Sequence, residues 1–131
     1  MSRNLHLGAL LAVAGLASSP PVTAQSYDES GCWLPMDRCA QVRQRDDQDS
    51  DTAIITTVTN RCGGRITMRL CNQTETDSSS EWICHNYSLT DGESRSQTTF
   101  FANGAYSLDY VGSRSSASDS TCRAKTGIGS N

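Results

Sequence analysis

The sequence predicts an all-β domain, a small antiparallel β-sandwich or barrel stapled by disulfides, on three observations. Several segments are rich in β-branched and aromatic residues and alternate in polarity. Gly63-Gly64, Asp91-Gly92 and Asn103-Gly104 punctuate them with turn chemistry. Six cysteines, an even number, follow an apolar leader, as expected of a scaffold closed by three disulfides in an oxidising compartment.

Residues 1–24 read as a secretory signal peptide: Arg3 near the start, an apolar run from Leu7 to Leu16, and small residues up to Val22-Thr23-Ala24. The apolar run is too short to span a bilayer, so no membrane insertion is expected. Residues 25–51 read as an N-terminal arm with a small loop, CWLPMDRC, and a helical turn within Pro35 to Arg45. The charged run RQRDDQDSD reads as a solvated linker.

Residues 52–125 carry the strand signals. They comprise TAIITTVTN at 52–60, RITMRLC at 65–71, EWICHNYSL at 81–89, QTTFFAN at 97–103 and AYSLDYV at 105–111. A three-residue Gly63-Gly64-Arg65 loop aligns Ile66, Met68 and Leu70 with Cys62, Asn60 and Val58 on one apolar face of a hairpin. A two-residue turn at Asn103-Gly104 likewise puts Phe101, Tyr106, Leu108 and Tyr110 on a core face. The Ser- and Gly-rich tail is expected to be pinned by Cys122 and flexible over 126–131.

Leu, Ile, Val and Phe make up only 14 of the 107 residues after position 24, which is thin for an ordinary core. Disulfides at roughly 2 to 4 kcal/mol each can offset that deficit. Proximity along the predicted strands suggests Cys32–Cys39, Cys62–Cys122 and Cys71–Cys84. Cys62 at the hairpin turn and Cys71 at the far strand end, on opposite faces, lie too far apart to bond each other.

The whole chain carries a formal charge of −3 with its arginines scattered among acidic residues, so no basic stripe tracks nucleic acid. No cysteine pair has zinc-ligand spacing, and Asp47, Asp49 and Asp51 lack the Gly and Glu that an EF-hand loop needs where Thr52 and Val58 stand. Neither a metal nor another cofactor is expected. His85 is the sole histidine after the leader and has no nucleophile elbow beside it. Paired carboxylates such as Glu81 with Asp91 or Glu93 are to be weighed for glycoside hydrolysis. Trp33, Trp82, Tyr87 and Phe100 are the aromatics left over for a binding surface. Asn72-Gln73-Thr74 and Asn86-Tyr87-Ser88 match the glycosylation sequon.

The succession V-T-N-R-C, I-T-M-R-L-C, W-I-C and L-T-D-G over about 54–92 resembles small secreted, cysteine-containing bacterial β-domains. The resemblance implies a stapled β-fold and export to the periplasm or medium, and carries over no catalytic residue. The function expected is that of an exported, non-enzymatic domain recognising a carbohydrate or a protein through aromatic and polar side chains. The alternatives are an inhibitor of a secreted or host hydrolase using the CWLPMDRC loop as a wedge, and a small hydrolase using His85 or paired carboxylates.

Overall fold

The computed structural model describes residues 26–128, so the leader and the last three residues lie outside the described part. Seven strands form two antiparallel sheets packed face to face. They are β1 (Cys32–Trp33), β2 (Ala40–Asp46), β3 (Ala53–Asn60), β4 (Ile66–Glu75), β5 (Ser80–Leu89), β6 (Ser94–Phe100) and β7 (Ala102–Ser113). A 3-10 turn at Ser116–Ser118 leads into the helix α1 (Asp119–Lys125). The larger sheet runs β1-β7-β4-β5 and the smaller β2-β3-β6.

Period-two alternation is what lets these residues make two layers. Thr56, Val58 and Asn60 along β3, and Ile66, Met68, Leu70 and Asn72 along β4, are buried at alternate positions and turn one face of each strand inward; Ala53 and Thr67 are buried as well, outside that alternation. Val58, Ile66, Met68, Leu70 and Leu89 have no exposed surface and form the apolar half of the core with Trp33 and Ala40. The other half is polar. Gln44 Nε2 donates to Thr56 Oγ1, which donates in turn to Asn72 Oδ1 at 2.9 Å from the opposite sheet, and Tyr87 donates to Gln97. Buried polar groups hold their places only through such bonds, and this chain tolerates them because its apolar residues are few.

The all-β sandwich stapled by disulfides matches the fold class expected from sequence, but the connections differ. Only β2–β3 and β4–β5 are hairpins between neighbours in the chain. β3 pairs with β2 and β6, and β4 with β5 and β7, so Gly63-Gly64 lies in an arch that carries the chain from one sheet to the other. Val58 and Asn60 do share the buried apolar region with Ile66, Met68 and Leu70, but from the facing sheet instead of an adjacent strand. The alternation pattern is satisfied either way, which is why it misassigned the register. Asn103-Gly104 is not a hairpin turn either. It lies inside β7, where the pairing to β4 shifts register, and the chain changes sheets at Phe101 (φ 57°). Leu108 and Tyr110 pack on the core, whereas Phe101 and Tyr106 are exposed at its open end.

Asn60 holds the arch. Its buried amide Nδ2 reaches the carbonyls of Gly64, Leu89 and Thr90, and its Oδ1 accepts from the Cys62 amide. One side chain therefore ties together two of the places where the chain crosses between sheets, 61–65 and 90–93. The segment 35–45, expected to hold a helical turn, is instead a loop up to Cys39 followed by β2, and the acidic run is the β2–β3 turn, where Asp47 Oδ1 accepts from the Asp49 amide. Residues of the expected N-terminal arm thus belong to both sheets.

α1 covers the outer face of the larger sheet near β7 and β4. Arg65 donates twice to Asp119, at 3.0 and 2.6 Å, Ser113 also donates to Asp119, and Arg123 donates to Thr67 Oγ1. Ile128 is buried with Cys32, Val111 and Cys122, so the tail expected to be flexible from 126 packs down as far as the described residues run. Partial burial pushes the Asp119 carboxyl up, but the bonds from Arg65, Ser113 and Ser88 outweigh it and hold the group below the usual carboxylate value. A carboxyl whose pKa is lower folded than unfolded stabilises fully above its unfolded value and loses that contribution as pH falls through its folded one. Asp119→Asn should therefore cost about 2 kcal/mol near pH 7. The deficit should shrink as urea unfolding is repeated below about pH 4.

Candidate functional site

Two of the three disulfides differ from the pairing expected. Cys32 bonds Cys122, Cys39 bonds Cys62, and only Cys71–Cys84 follows the expectation. The reason is the period of a strand. Trp33 points into the core, so its neighbour Cys32 points outward to α1, where Cys122 waits. Cys39 continues β2 beside the arch, its carbonyl accepting from the Arg61 amide, which sets it against Cys62. Neither Cys32–Cys39 nor Cys62–Cys122 can form, because each would join a residue on the outer face to one at the end of the core.

These two bridges bracket the loop Leu34-Pro35-Met36-Asp37-Arg38. On its N-terminal side the Trp33 indole lies over Gly112: a Cβ on Gly112 would come within 2.0 Å of Trp33 Cε2. The missing side chain is the slot that seats the ring, although the indole N–H finds no acceptor there. On the C-terminal side the Cys39 amide donates to the Met36 carbonyl, closing a turn with Arg38 in the left-handed region (φ 66°). The Tyr110 hydroxyl also donates to that carbonyl, and its oxygen lies 3.8 Å from Cys39 Sγ.

The loop that results is fixed at both ends; its turn carries the exposed charges of Asp37 and Arg38, and Leu34 and Met36 project beside it. Leu34 is 86 % and Met36 80 % exposed, the highest exposures among the large hydrophobic residues described. Large apolar side chains held out in water by a braced backbone cost solvation free energy that burial against a partner would recover, about 1.5 to 3 kcal/mol each. From sequence, the CWLPMDRC loop is expected as a wedge and Trp33 on a binding surface. The structure puts Trp33 beneath the loop as its anchor.

The four aromatics expected to form a binding surface do not come together. Trp33 is buried, and Tyr87 is half-buried between the sheets with Arg95 stacked 5.5 Å from its ring centre. Trp82 is exposed on the outer face of the larger sheet, which it shares with Cys84 and Cys71, and Phe100 is exposed on β6 in the other sheet. The carboxylates do not converge either. Glu81 lies at the start of β5 and Asp91 in the turn beyond its far end; the eight strand steps from Glu81 to Leu89 alone span about 26 Å, against the roughly 5 to 10 Å that glycosidases use. Asp91 accepts from the Gly63 amide, and Glu93 accepts from the backbone and hydroxyl of Thr90. Those bonds hold the Glu93 carboxyl below its usual value, the wrong direction for a general acid. His85 is exposed on β5 with Tyr87 as its ring neighbour at 6.2 Å. Of the sequons, Asn72 is buried and bonded to Thr56, whereas Asn86 is exposed.

Among the described residues no group of three or more His, Cys, Asp or Glu side chains is placed to hold a metal ion, and no helix is long and apolar enough to cross a membrane. The three disulfides are compatible with an oxidising compartment. The chain matches no protein-family model, no curated protein and no solved structure.

Proposed function

We propose that the chain is an exported binding domain, secreted or periplasmic, whose ligand is a folded protein with an apolar pocket that receives Leu34 and Met36. The observation that carries this reading is the double bracing of one loop that exposes two apolar side chains. Cys32–Cys122 and Cys39–Cys62 bolt its ends to α1 and to the arch, and Trp33, Tyr110 and the Cys39 amide fix its interior. A loop already ordered in its docking shape loses little conformational freedom on binding, so more of the apolar burial appears as affinity. Two aliphatic side chains projecting beside a tight turn suit a concave protein pocket. Sugar rings are better served by a row of flat aromatics, whereas Trp33 is buried, Tyr87 is half-buried, and Trp82 and Phe100 are exposed on different sheets. Inhibition is the special case in which the pocket is the cleft of a hydrolase.

Leu34→Ser with Met36→Ser should leave the fold unchanged, because both side chains lie in solvent. The pair should weaken binding about 100-fold, the equivalent of about 3 kcal/mol of apolar burial. The wild-type and variant domains, immobilised in parallel, would be challenged with the extracellular proteins of the source and with a glycan array. A protein retained by the wild type, lost by the variant and titrated to a Kd is the expected result, with hydrolase activity assayed on that protein alone and in complex. Equal retention by both domains, or glycan binding unaffected by the pair, would sink the reading.

A further inference from the structure

β5 is an edge strand, and it differs from the other edges. β1 has two residues, β2 carries Arg43, Arg45 and Asp46 along its seven, and β6, with Arg95, is three residues shorter than β5. Charges and shortness are how sheets keep their edges from pairing. β5 runs for ten residues with Glu81 as its only acid or base apart from His85, contains no Pro, Lys or Arg, and pairs with β4 without a bulge from Ile66↔Leu89 to Glu75↔Ser80. Cys71 and Cys84 face each other with Cα atoms 4.0 Å apart, the close spacing of a pair that exchanges no backbone hydrogen bonds. The N–H and C=O of Cys84 therefore point away from β4, and by alternation so do those of Trp82, Asn86 and Ser88. Apolar side chains flank that edge on both faces: Trp82 is 50 % exposed on the outer face, and Ile83, opposite buried Asn72, is 37 % exposed on the inner one.

We propose that β5 is a strand-pairing edge whose partner is β5 of a second copy, joined antiparallel across a two-fold axis at Cys84. The two larger sheets then become one of eight strands. In this register Trp82 lies opposite Asn86 of the other copy, Ile83 opposite His85, and Glu81 opposite Tyr87. No two like charges meet, because Glu81 is the only carboxylate on the strand. The free backbone groups of Trp82, Cys84 and Asn86 pair with one another, and Trp82 and Ile83 are covered from the side. A partner strand of another protein is a separate occupant of the same edge; the low charge of β5 and its fit to itself favour the second copy. The inference stands apart from the reading of the 34–38 loop, which hangs from β1 at the other edge of the sheet. A β5 dimer leaves both loops free, at least about 30 Å apart across seven strand spacings, so it would be bivalent for a partner.

Sedimentation equilibrium of the purified protein from about 10 μM to 1 mM should show mass rising from one copy to two, as expected of a small interface. At the dimeric end, the amides of Trp82, Cys84 and Asn86 should exchange with deuterium more slowly than at the monomeric end. Trp82→Lys with Asn86→Lys places lysines opposite one another twice and should raise the dimer dissociation constant about tenfold or more. A double-lysine variant whose near-ultraviolet circular dichroism and urea midpoint match those of the monomeric wild type is folded, so its loss of dimer reads the edge alone. A wild type that stays monomeric throughout, including one whose edge amides slow only with an extended peptide, overturns the proposal. So does a dimer that the two lysines leave intact or whose edge amides exchange at the monomer's rate.

Discussion

Gly112→Ala should cost about 3 kcal/mol or more in urea unfolding, an unusual penalty for one added methyl group on a strand. The new Cβ would fall within 2.2 Å of three atoms of the Trp33 ring, Cε2, Cδ2 and Nε1. A rigid indole has no rotamer that yields by so much without leaving the core, so the outcome is overpacking or eviction of Trp33. Eviction forfeits the burial of the largest side chain at that end of the sandwich and releases the N-terminal anchor of the 34–38 loop. In a Trp82→Phe background Trp33 is the remaining tryptophan, and its emission should shift to the red and become open to acrylamide quenching. Trp33→Leu should relieve the clash, so the double variant Gly112→Ala with Trp33→Leu should be more stable than the two single costs added together. Strict additivity would mean that the ring does not lie on Gly112.

Cys32→Ala with Cys122→Ala should destabilise the domain by about 4 to 5 kcal/mol, the largest loss expected from removing any one bridge. Its sequence separation is 90, against 23 for Cys39–Cys62 and 13 for Cys71–Cys84. In the chain-entropy view a longer closed loop restricts the unfolded state more, which puts the other two at about 3 to 3.5 kcal/mol. Against a typical total of about 5 to 15 kcal/mol this bridge supplies a large share, as a core with so few aliphatic side chains requires. Amide exchange over α1 and proteolytic cutting within 34–38 should both accelerate, since the bridge ties the helix to the strand that starts the loop. A midpoint shift smaller than that for removing Cys71–Cys84 would contradict the assignment.

The strand positions 52–60 and 81–89 were legible within a residue, because β-branched runs bounded by turn residues leave little alternative. β2 was not. Its Arg, Gln and Asp residues suit a helix or linker by local propensity, and β3 makes them a strand by offering seven consecutive partners. The loop at 34–38 was legible as a short segment between cysteines, but not its anchor: an indole seated on Gly112 is a contact between residues 79 positions apart. Asn60 left a faint signal, a polar residue where the alternation of β3 calls for an apolar one, and such a mismatch marks a buried side chain with several bonds to make.

By itself the sequence determined the class of fold, the all-disulfide state of its cysteines and the location of most strands. Composition, residue count and period-two alternation are local properties, and they survive any rearrangement of the chain in space. Which strand lies beside which, how Cys32, Cys39, Cys62 and Cys122 pair, and which aromatics reach solvent were decided only by the tertiary structure. An apolar face can be buried as well by the opposite sheet as by a neighbouring strand. Choosing between them turns on packing at a distance, the Trp33 ring on Gly112 and Asn60 across two crossings, which no stretch of local sequence encodes.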